Sequence, residues 1–164
     1  MTTDGPRMDT FARRSLTAGE RAIARGMFGR EIDVDAVRIQ QIPPAPFAAM
    51  VPHRRTILFS MWRAARDFTT AAPGERGWFV HELAHVWQAR RGVVLAAAKL
   101  KALGRDAYAY RFEPGKPFAY YNIEQQAEIA RHLYLHRIGE PDARAPSRAN
   151  LEALWPINSR PGVA

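Results

Sequence analysis

Within Trp78–Gln88 the chain carries a His-Glu-x-x-His run, His81, Glu82 and His85. On a helix, residues four apart lie on one face, so both imidazoles can reach one metal ion while Glu82 stands beside them. The chemistry of such a set is zinc-assisted hydrolysis: Zn2+ lowers the pKa of water toward ~7, and a carboxylate takes the proton. Glu82 is therefore the candidate general base, and His81 and His85 are candidate ligands. The competing reading is an amphipathic helix that buries Leu83, Val86 and Trp87 and carries two unrelated histidines.

A tetrahedral catalytic zinc needs three protein ligands and one open position. The extended pattern, with a glycine and a third histidine after the motif, is absent, because Gln88 and Arg91 hold those places. A distant glutamate is the common completion of a two-histidine helix, and the best stretch for one is Tyr121–Glu128. Asn122 is a natural N-cap with Gln125 at the answering position, which puts Glu124 in the first helical turn. We expect Glu124 as the third ligand; the alternative is an acid that merely complements the helix dipole.

The blocks His81-Glu82-x-x-His85 and Glu124-x-x-Ala127-Glu128 together resemble the gluzincin pattern. There a second helix supplies the metal glutamate and, four residues on, an acid that orients a ligand histidine; this chain has Glu128 where Asp is usual. More narrowly, Trp87-Gln88 and the Tyr121-Asn122-Ile123-Glu124-Gln125-Gln126-Ala127 block resemble small bacterial zincin-like proteins encoded beside Rhs and Vgr secretion elements. The resemblance implies an α+β zincin-like metalloprotease domain, a small sheet followed by a central motif helix and a second ligand-bearing helix. It also implies peptide-bond hydrolysis, with a peptide or protein substrate and an Rhs/Vgr protein as partner. By the same resemblance, Thr56–Ser60 is an edge strand that pairs with extended substrate; a buried strand without substrate contact is the other reading. Tyr121 or His132 is the candidate transition-state donor, and the residues do not choose between them. The competing class is a non-catalytic zincin-fold adaptor of a secretion system, in which Glu82 has no task.

Length and charge set outer limits. With 164 residues and 47% hydrophobic content, one domain with a real core is expected. We divide the chain into a flexible tail over 1–15, the domain over 16–140, and a Pro/Arg-rich extension over 141–164 that packs back through Trp155. Cysteine is absent, so any zinc must be held by histidine and carboxylate. No secretory signal opens the chain, and no run approaches the ~20 apolar residues of a membrane helix. The expectation is a cytoplasmic protein, or one exported without a signal peptide by a specialised secretion system. The net charge of +8 comes from 24 basic residues, all but three of them Arg. They are scattered singly and in pairs such as Arg54-Arg55, which argues against a nucleic-acid footprint.

The remaining elements must position the motif. Thr17 and Glu20 have capping-box spacing and open a helix that Gly29 stops. Ile32–Ile39 alternates as a strand with a one-residue slip. Pro43–Pro46 and His53 read as loop. Pro73 starts the motif helix, which ends near Gly92. A second apolar helix, Val93–Leu103, serves packing or acts as a lid. Tyr108, Tyr110 and Phe112 alternate toward the Glu124 helix, on which His132 and His136 follow as extra ligands or surface residues. Arg148–Leu154 is a last short helix.

Overall fold

Thr17 accepts from the backbone N–H of Glu20, and Glu20 answers the Thr17 N–H, so the capping box forms and opens helix α1, Ala18–Phe28. The computed structural model describes residues 6–102, 104 and 107–157. Strands β1 (Arg13–Ser15), β2 (Arg38–Ile42), β3 (Ala49–His53) and β4 (Thr56–Ser60) make one mixed sheet in the order β1-β2-β4-β3. β2 runs parallel to β4, and the outer pairs are antiparallel. Helices α2 (Pro73–Arg90), α3 (Leu95–Lys101), α4 (Ile123–Arg137) and α5 (Arg148–Leu154) follow, giving five α-helices and a small sheet among the described residues.

Two strand expectations are corrected. Ile32–Val37 is turn and loop, and pairing begins only at Arg38. The alternation there reflects buried loop anchors, since Ile32, Val34 and Val37 all enter the core without joining the sheet. Thr56–Ser60 is indeed a strand, but it lies inside the sheet, with Ile57 and Phe59 buried. The edge beside it is β3, which takes in His53 and which proline-rich flanks hide in the sequence. Pro52 is tolerated because an outer strand need not donate along its free edge, and a register shift between Met50 and His53 absorbs the irregularity.

Helix α2 starts with Pro73 at its first turn and is buried on all sides from Phe79 to Ala89. That all-round burial marks it as the central element, packed against α4, α1 and the sheet. Phe59, Phe68 and Phe79 stack between sheet and helix at centroid spacings of 4.8 and 4.9 Å. On the other side, Phe28, Trp87 and Phe118 meet Trp155, whose indole N–H donates to the Met27 carbonyl. Leu151 and Leu154 of α5 are also buried, so the chain beyond 141 packs on the body as far as it is described. Residues 158–164 lie outside the described residues. Of the stretch 1–15, residues 1–5 also lie outside; Met8 is buried and Arg13–Ser15 pair as β1. The Val93–Leu103 helix is observed as Leu95–Lys101, with Leu103 outside the described residues.

Candidate metal centre

Helices α2 and α4 pack along their lengths, and Gly77 permits close approach: a Cβ there would lie 3.2 Å from Arg131 Cγ. Asn122 caps α4, accepting from Gln125 N–H while Gln125 answers, so Glu124 sits in the first turn and faces α2. His81, His85 and Glu124 converge, all buried, with one ligand atom from each within 4.8 Å of the others. Glu124 Oε2 stands 3.2 Å from His81 Nε2 and 3.2 Å from His85 Nε2.

The far ring nitrogens are anchored. His81 Nδ1 lies 2.8 Å from Glu128 Oε1, and His85 Nδ1 lies 2.8 Å from Gln88 Oε1. Each partner is an oxygen acceptor, so each Nδ1 carries a proton, and in the neutral ring each Nε2 turns a lone pair toward Glu124. Three electron-pair donors then face one another in a buried space, an arrangement that calls for a cation. The donor set, two imidazoles and one carboxylate, suits zinc. Ligands at ~2.0–2.1 Å from one ion at tetrahedral angles stand about 3.3 Å apart. The observed spacings of 3.2 Å match that edge. Glu82 is also buried, and its Oε2 has no hydrogen-bond partner among the described residues, as a base reserved for water would.

Charges around the group follow the same geometry. Burial opposes a charged His81, yet hydrogen bonds to Glu124 and Glu128 and the negative field of Glu82 and Glu128 outweigh it and raise its pKa to about 9. Burial likewise opposes ionised Glu124, but His81, His85 and Lys99 hold its carboxyl well below the usual range. Glu128 is also lowered, against burial, by His81, Arg131 and His132. The acids therefore stay ionised.

No protein-family model matches the chain. The effector domain of VgrG2b from Pseudomonas aeruginosa superposes with a TM-score of 0.70 at 34% identity, over 92% of this chain and 85% of that one. The chain belongs to the VgrG2b effector-domain family. The type VI secretion system spike protein VgrG2b of the same organism is 37% identical over 149 residues, 85% of this chain. The chain spans only 15% of the length of that spike protein.

Other expected site residues of this VgrG2b-type domain take different places. Tyr121 is buried and donates its hydroxyl to the Arg111 carbonyl. His132 bonds the Tyr110 hydroxyl through Nδ1 at 2.7 Å and sets Nε2 3.6 Å from Glu128 Oε2. His136 donates to the Pro146 carbonyl. The sequence reading missed four neighbours. Gln88 orients His85, Lys99 reaches Glu124, and Arg131 bonds Glu128 while stacking on Trp78. Tyr108 sets its ring 5.9 Å from that of His81. Gln88 and Arg131 had a signal, each three residues after a site residue on the same helix face; Lys99 and Tyr108 come from a helix and a loop whose docking local pattern does not encode.

Proposed function

We propose that the chain is a zinc-dependent peptidase of gluzincin type in a zincin-like fold, carried by a Vgr spike or acting beside one. The observation that carries this reading is the convergence of His81 Nε2, His85 Nε2 and Glu124 Oε2 beside the unpartnered Glu82 Oε2. Zinc held there supplies Lewis acidity, lowering the pKa of water toward ~7 and polarising a carbonyl. Glu82 takes the proton of the attacking water at Oε2 and returns it to the leaving amine. Glu128 and Gln88 hold the histidine rings in the required tautomer. Tyr108, whose hydroxyl makes no hydrogen bond among the described residues, donates to the developing oxyanion; burial and the charges of Glu124, Glu82 and Glu128 raise its pKa, so it keeps its proton. Extended substrate pairs along β3, an outer strand of the sheet.

Kinship with a type VI spike effector domain supports delivery by a secretion apparatus, and no helix among the described residues is long and apolar enough to cross a membrane. The adaptor alternative leaves the Glu82 carboxylate buried without a task. Glu82→Gln decides between them. In a peptidase, zinc content and melting temperature stay at wild-type values while hydrolysis of an unfolded protein falls by about 10²–10⁴-fold. Wild type that cleaves no chelator-sensitive substrate in a broad peptide library, with a Vgr partner bound equally by both forms, overturns the peptidase reading.

A further inference from the structure

The two oxygens of Glu124 face different partners. Oε2 looks at both histidines, whereas Oε1 lies 3.2 Å from Lys99 Nζ. Lys99 belongs to α3, a helix pinned by buried Leu95 and by Ala98 against the core, in contact with α2, α4 and β3. Its side chain is 34% exposed, while that of Glu124 is 6% exposed, so the ammonium closes the solvent side of a buried carboxylate. Turning Oε1 toward an ion between the histidines would break this ion pair. We propose that Lys99 is a positioning residue that makes Glu124 a single-oxygen ligand. This rests on the metal-centre reading above.

The consequence is a coordination position kept free. A carboxylate binding through both oxygens fills a site that catalysis needs for water and substrate, while one held through a single oxygen leaves it open. Because a lysine and not an alanine or leucine occupies this place, α3 does more than cover the site.

Cobalt tests this without any substrate. Four-coordinate Co2+ absorbs strongly in the visible, and five- or six-coordinate Co2+ weakly. Metal-stripped wild type, Lys99→Met, Lys99→Gln and Lys99→Arg would each be loaded with one equivalent of Co2+, with folding checked by far-ultraviolet circular dichroism. Wild type should give the intense spectrum. Lys99→Met and Lys99→Gln should lose most of that intensity as Glu124 closes onto the ion with both oxygens. Lys99→Arg, which keeps a cationic donor, should retain it. An unchanged spectrum in Lys99→Met and Lys99→Gln, or a weak spectrum in wild type, overturns the role of Lys99 and leaves the metal centre standing. Failure of wild type to take up cobalt overturns both.

Discussion

Glu128 Oε1 lies 2.8 Å from His81 Nδ1, and the other oxygen of the same carboxylate accepts from Arg131 at 3.0 Å. Glu128 is thus fixed from one side by a cation that is itself stacked 5.0 Å over Trp78, and it passes that rigidity to a ligand ring. Glutamate reaches from α4 to His81 at hydrogen-bond distance, so the longer side chain serves where a shorter acid is the commoner choice.

Glu128→Ala should weaken zinc binding by roughly 10–100-fold without abolishing it. Gln88→Leu should weaken it less, because a neutral acceptor holds its imidazole less strongly than a carboxylate does. Glu124→Ala should lose the metal outright. Competition with a chromophoric chelator measures all three. Full zinc affinity in Glu124→Ala would mean that the third ligand is elsewhere.

Tyr108→Phe keeps the ring beside His81 and removes only the hydroxyl. Zinc affinity should hold, and kcat/KM should fall by about 10²-fold, the scale of one oxyanion donor. Equal kinetics for the two proteins would remove Tyr108 from the mechanism.

With zinc stripped, His81 titrates at about 9 in the folded chain against 6.5 for a free histidine. The raised value means that the folded state holds the proton more tightly. This stabilisation is complete below pH ~6.5 and disappears as pH rises through about 9. Zinc must displace the same proton, so its apparent affinity should climb by up to ~10-fold per pH unit across that window. Melting curves in chelator and zinc titrations between these limits should therefore run in opposite directions. A zinc affinity independent of pH would show that His81 is neutral before metal arrives.

Away from the centre, Glu20 is buried completely and takes both Arg14 guanidinium nitrogens at 2.7 and 2.8 Å as well as the Phe68 N–H. Glu20→Ala should destabilise the fold by about 3 kcal/mol by leaving the Arg14 charge without its carboxylate and the Phe68 amide without its acceptor. Zinc stoichiometry should not change. Urea unfolding and elemental analysis measure the two quantities separately.

The features legible in the sequence are those with a local cause. Capping boxes at Thr17 and Asn122, Pro73 at a helix start, and the four-residue steps His81–His85 and Glu124–Glu128 each depend on neighbours within one turn, and each appears at its expected place. What was not legible depends on distant partners. β3 exists because β4 offers it an edge, and no alternation in Ala49–His53 announces that. Arg14 finds Glu20 partly by way of the sheet that β1 joins, and Lys99 finds Glu124 because α3 docks on two other helices. Residue type alone does not set Lys99 apart from the other basic residues of the chain.

Trp155 closes the molecule on itself. Its ring meets Phe28 of α1, Trp87 of α2 and Phe118 ahead of α4, and its N–H reaches a carbonyl 128 positions earlier. The last of the four tryptophans is therefore a clasp that joins α1, α2 and the approach to α4. Loss of any one of these elements would uncover the Trp155 indole, so its fluorescence would report the integrity of the whole body and not of one helix.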